Sequence, residues 1–104
     1  MGVRRPHAPR STEAVRRVAI DYNMAGSIKE LSDPAGATWY FRQAASATDR
    51  IAGADADTPP ARSNRSSVLL GLGRNLGQLG HFDEGFHYLE EARQFARPRS
   101  RRRS

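Results

Sequence analysis

The stretch VLLGLGRNLGQLG, Val68–Gly80, decides how this chain folds. A short apolar run leads into Gly71-x-Gly73-x-x-x-Gly77. That spacing is close to loops whose backbone amides cradle a pyrophosphate between a strand and a helix. The same residues carry Leu69, Leu72, Leu76 and Leu79 at intervals of three, four and three. Such intervals mark one face of a helix, and no strand-like alternation accompanies them. A pyrophosphate loop also needs a second parallel strand beyond its helix. Here HFDEGFHYLEEARQFARP, His81–Pro98, reads as another helix and then gives way to arginines. Glu90 and Glu91 lie near the spacing of a ribose-binding acid, but they fall mid-helix. The glycines therefore belong to a helix, and no cofactor is expected.

Working outward, the chain divides into four helices. Ser11 or Thr12 can cap the first, with Glu13 in its first turn. Val15, Val18, Ala19, Tyr22, Ala25 and Ile28 form its expected inner face, up to about Leu31. Ser32-Asp33-Pro34 stops that helix and starts the next, since Asp33 suits an N-cap and Pro34 the first helical position. The second helix runs to about Ala52, with Ala37, Tyr40 or Phe41, Ala44, Thr48 and Ile51 facing inward. GADADTPPARSNR, Gly53–Arg65, reads as a loop. The third helix begins between Ser63 and Ser67 and breaks at Gly80-His81. The fourth spans Phe82 to about Ala96 and is expected to bury Phe82, Gly85, Phe86, Leu89, Ala92 and Phe95. The predicted fold is all-α, two antiparallel helix hairpins.

The second hairpin carries a specific pattern. Leu69, Leu72-Gly73 and Leu76 mark its first helix, and Gly80 its turn. Phe82, then Asp83-Glu84, open its second helix, followed by Gly85, Leu89, Ala92 and Phe95. On these positions, residues 66–98 resemble a tetratricopeptide repeat, a 34-residue helix–turn–helix unit. Gly85 stands where Ala is usual, and Pro98 falls one residue late. The first hairpin, about 12–52, resembles a degenerate copy. Ala37, Phe41 and Ala44 repeat the spacing of Gly85, Leu89 and Ala92. Met24-Ala25, Ile28 and Ser32 fall on the Leu-Gly, apolar and turn positions. The phase between the units is 48 instead of 34, an excess assigned to the loop 53–65.

The resemblance implies a fragment of an α-solenoid that binds a protein or peptide on the concave face of its first helices. Those positions are Ser67, Leu70, Arg74, Gly77 and Gln78. Leu70 and Arg74 replace the Lys and Asn with which the chaperone-binding subtype clamps a carboxylate. Long inter-repeat loops are similar to those of tetratricopeptide regions in bacterial transcriptional regulators. About three repeats are normally needed for independent stability. Self-association, or docking on a larger protein, is therefore expected. Gly71 and Gly77 are unexplained by the family, and each should cost the helix about 1 kcal/mol relative to Ala.

Composition narrows the chemistry. The net charge of +6 is carried by the ends. Residues 1–17 hold +4 and residues 93–104 hold +6, so the span 18–92 is −4. Residues 1–10 and 99–104 read as disordered basic tails around a helical domain, 11–98. Nucleic acid or an acidic partner is expected only through those tails. Among 17 basic residues only Lys29 is lysine, a bias that suggests a GC-rich genome of the actinobacterial kind. Without cysteine there is no disulfide or thiolate site. No apolar run approaches the roughly 18 residues of a membrane span, and no signal-type segment follows Met1, so a cytoplasmic protein is expected. His87 and Glu91 form an i, i+4 pair, but no third metal ligand accompanies them. No Ser/His/Asp arrangement has supporting sequence. Catalysis is not expected. Trp39, Tyr40 and Phe41 cluster, and whichever stays outside the core is a candidate contact.

Overall fold

The computed structural model describes the backbone of residues 9–96 and the side chains of residues 12–96. It contains α1 (Pro9–Glu30), α2 (Pro34–Asp49), α3 (Pro59–Gln78) and α4 (Phe82–Ala96), with one 3-10 turn at Gly53–Asp57. No strand occurs among the described residues. The fold is all-α. Of the expected tails, residues 1–8 and 99–104 lie outside the described residues, as do Arg97 and Pro98 of the expected domain, whereas Pro9 and Arg10 belong to α1.

Local chemistry places most boundaries. The Asp33 carboxylate accepts the Gly36 N–H at 3.0 Å, and Pro34 opens α2. At the end of α3, Gly80 has φ 89°. Its N–H reaches the Gly77 carbonyl at 3.1 Å, and the His81 N–H reaches Leu76 at 2.9 Å. Those two bonds satisfy carbonyls the helix leaves open, and glycine is favoured at the left-handed position they require.

Three boundaries differ from expectation: α1 starts at Pro9, ahead of the expected caps Ser11 and Thr12, α2 ends at Asp49 and not near Ala52, and α3 starts early. α3 begins at Pro59, two turns into the predicted loop. Thr58 caps it, accepting the Ala61 N–H at 3.3 Å. Pro59 and Pro60 occupy the first turn, where a missing N–H costs nothing. The prolines that read as breakers are therefore a helix start. The excess in the 48-residue phase is shared between a long first helix, 20 residues in α3, and the connection 50–58, and is not an inserted loop of 14.

The turns at 31–33 and 79–81 fold α1 against α2 and α3 against α4, giving two antiparallel hairpins. α3 also packs on α2 and, over a smaller area, on α1. The central cluster is Ala37, Phe41, Leu72 and Leu76, with Ala45 and Tyr88 against it. Phe41, and not Tyr40, is the buried aromatic. Its ring lies between two glycines. A Cβ at Gly26 would sit 3.0 Å from Phe41 Cε1, and one at Gly71 only 2.9 Å away. This accounts for Gly71, which forms one wall of the slot for Phe41. The expectation that Gly71 only weakens its helix is thus corrected. α3 and α4 meet backbone to backbone, since a Cβ at Gly73 would lie 2.8 Å from the Gly85 carbonyl oxygen.

Gly77 differs from these, because a Cβ there would meet nothing within 4 Å. Gly77→Ala should raise stability by about 1 kcal/mol through helix propensity, measured by urea denaturation in dilute solution.

Two expected inner faces are turned. On α1, Ala19 is buried as expected and Val15, Tyr22 and Ala25 are half-buried, but Gly26 is buried too, and Val18 and Ile28 are exposed. The face toward α3 is small and polar, with Asn23 bonded to Ser67 and Glu30 to Arg74. On α4, Gly85 and Ala92 are buried, but Phe82 and Phe86 are 72% and 62% exposed. Tyr88 of α4 packs against the central cluster, and α3 is the one described helix that packs extensively on α4.

Candidate functional site

α3 holds the residues that the sequence singles out for partner contact. Ser67, Leu70, Arg74 and Gln78 follow one another at intervals of three and four, and all four are exposed. Leu70 is half exposed in spite of its apolar side chain. Ser67 accepts a hydrogen bond from Asn23 at 3.3 Å. Arg74 pairs with Glu30 at 3.0 Å. The stripe is thus held against α1 at two points and leaves Leu70 free between them. Gly77 lies elsewhere, at the rim of an open hollow of about 470 Å³ lined by Gly73, Phe82, Asp83, Gly85, Phe86 and Leu89.

The stripe is positioned by a residue that its polarity concealed. Asn75 has no exposed surface, although it sits inside the apolar face of α3. Its amide donates to the Pro34 carbonyl at 2.8 Å and to Glu30 Oε2 at 3.3 Å. Its carbonyl accepts from the Thr38 hydroxyl at 2.6 Å. Every bond goes to the first hairpin, so Asn75 fixes α3 on the turn between α1 and α2. A polar residue inside an otherwise apolar stripe is the signal that reveals it. Asn75→Ala should lower the unfolding free energy by about 2 kcal/mol, read from the urea midpoint, because Thr38 and Glu30 lose a buried partner.

Arg65 plays a similar part at the other end. It pairs with Asp49 at 2.7 Å and Glu91 at 3.4 Å, donates to Thr48 at 3.0 Å, and lies over the Phe95 ring. It joins α2, α3 and α4. Its neighbours Asp49, Thr48 and Phe95 line a second hollow of about 220 Å³.

Other candidates are more dispersed. Trp39 is the aromatic left outside, 55% exposed, with its ring edge-on to Tyr22 at 5.7 Å and Tyr40 at 5.1 Å. His87 stands 3.9 Å from Glu91 and is largely exposed. Among the described residues no three His, Cys, Asp or Glu side chains converge as a metal site would require. No described helix is long and apolar enough to cross a membrane. Arg16, Arg42, Arg62, Arg65, Arg74 and Arg93 are each paired with an acid of the folded body. No protein-family model matches the chain, and no curated protein or solved structure is similar enough to suggest a relationship.

Proposed function

We propose that the chain is a non-catalytic protein–protein interaction module, a tetratricopeptide-like pair of stacked hairpins that holds a protein or peptide along α3. The observation that carries this reading is the stripe Ser67, Leu70, Arg74 and Gln78. It offers an exposed leucine between polar and charged groups on a braced helix. A partner that inserts an apolar side chain beside Leu70 and an acid near Arg74 would match it. The stacking of α3 on α1 and α2 supports a repeat architecture. The first helices are longer than a 34-residue unit allows, so the likeness lies in hairpin stacking and small-residue notches and not in period. Binding of nucleic acid through the arginine-rich ends is the alternative. It draws no support from the folded body, where the arginines above already face carboxylates.

A photoreactive residue placed at position 70 tests the reading in the native cytoplasm. Discrete adducts at position 70, absent when the same group stands at His87, are expected. Equal labelling at both positions, or none at 70, would overturn it.

A further inference from the structure

The two hairpins run in step at 48 residues without a gap. Shifted by 48, the start of α2 at Pro34 falls on the start of α4 at Phe82, and the end of α1 at Glu30 falls on Gln78, the end of α3. Buried Ala37 and Ala44 fall on buried Gly85 and Ala92. Phe41 falls on Leu89, and Tyr40 on Tyr88.

This register shows what the free faces match. In the first hairpin, α2 receives α3 on Pro34, Thr38, Phe41 and Ala45. Pro34 and Thr38 bond Asn75, while Phe41 and Ala45 pack with Leu72 and Leu76. Advanced by 48, that receiving face becomes Phe82, Phe86, Leu89 and Arg93. Three of those residues line the open hollow beside Gly77. On the donor side, α3 presents Leu72, Asn75 and Leu76 to α2. Moved back by 48, these become Met24, Ser27 and Ile28 of α1. Met24 is 59% exposed and Ile28 66%, and Leu31, one turn on, is 88% exposed. Each end of the molecule therefore presents one half of the interface that its middle already makes.

We propose that the chain associates with itself head to tail, with Met24, Ile28 and Leu31 of one copy seated on the Gly77–Phe82–Phe86 hollow of the next. The residues at the joint trade volume. Phe82 and Phe86 stand where Pro34 and Thr38 stand inside the chain, and Ser27 stands where Asn75 does. A larger receiving face thus meets a smaller donor. The contact is heterologous, so it continues into open chains and does not close as a symmetric dimer. The inference rests on the repeat reading above; by the same shift Glu30 becomes Gln78, so the joint reaches the end of the stripe but not Leu70.

Sedimentation velocity from low to high micromolar concentration tests it with three proteins. The wild type should sediment faster as concentration rises, past the value of a dimer. Phe86→Asp blocks the hollow and Ile28→Asp blocks the stripe, so each alone should lose all concentration dependence. Mixed in equal amounts, they retain one intact half each and should form a dimer that grows no further. Both positions are exposed, and unchanged far-ultraviolet circular dichroism confirms folding. Should an Asp variant lose helix, Phe86→Ser and Ile28→Ser replace the pair. A wild type that stays monomeric, or a mixture that does, overturns the proposal. So does association that survives either substitution. Labelling at position 70 is independent of this joint, so one result can fail while the other stands.

Discussion

Phe41→Ala should lower the unfolding free energy by about 4 kcal/mol, near the upper range for buried aromatic truncations. Phe41 has no exposed surface and belongs to the central cluster with Leu72 and Leu76. The cost depends on whether neighbours can collapse into the space left behind. Here two walls of the slot are Gly26 and Gly71, which have no side chains to move inward. Only a shift of whole helices could close the gap. Urea denaturation should show the loss as a lower midpoint with an unchanged slope. A double-mutant cycle sharpens the test. Gly71→Ala alone should destabilise by about 2 kcal/mol, since its methyl meets a ring held from the opposite side by Gly26. In the Phe41→Ala background the same change should be neutral or stabilising, because the methyl enters vacated space. Additive effects would mean that Gly71 does not serve Phe41.

Gly73→Ala is expected to cost about 3 kcal/mol, and Gly85→Ala a similar amount. Helix propensity alone gives the opposite sign, a gain of about 1 kcal/mol for each. Steric contact decides between them. A Cβ at Gly73 would meet the Gly85 carbonyl oxygen and Leu89 Cγ, each at 2.8 Å, and one at Gly85 would lie 2.8 Å from the Gly73 carbonyl oxygen. Backbone cannot rotate away as a side chain does, so α4 must lift off α3. The Gly85 result is the more discriminating, because alanine is usual there in the repeat proposed above for this hairpin. If Gly85→Ala stabilises the protein, helix propensity and not steric contact sets the sign. Thermal unfolding followed at 222 nm resolves the sign.

What could be read in the sequence follows from how directly each feature depends on local pattern. The Leu69–Leu72–Leu76 stripe and the Asp33-Pro34 start were legible because periodicity and capping act within a few residues. The start of α3 was not, because Pro59-Pro60 breaks a helix from within but begins one from Thr58, and only the cap distinguishes the two. Phe82 and Phe86 were assigned inward because a period identifies a face without saying which neighbour covers it. On α1, Val18 and Ile28 were assigned inward for another reason. Its contact with α3 is made by Asn23 and Glu30, and its contact with Phe41 by Gly26, residue types that hydrophobic counting passes over. Ser67, Leu70, Arg74 and Gln78 are exposed because those positions lie off the leucine face. Gly77 fell outside that stripe because the hollow beside it depends on where α4 crosses.

Asn75 has a consequence for uniqueness as well as stability. Leucines on α3 recur almost every turn, so sliding the helix along the first hairpin by one turn, about 5.4 Å, would put leucine against Phe41 again. Apolar contacts alone would hardly separate the two alignments. The amide separates them, because a slipped Asn75 would lie against apolar surface away from Thr38, Glu30 and the Pro34 carbonyl. Stranding it there costs about 1–3 kcal/mol, or one to two orders of magnitude in population. One amide in a leucine-rich seam thereby works as a vernier, reading position along an otherwise repetitive surface.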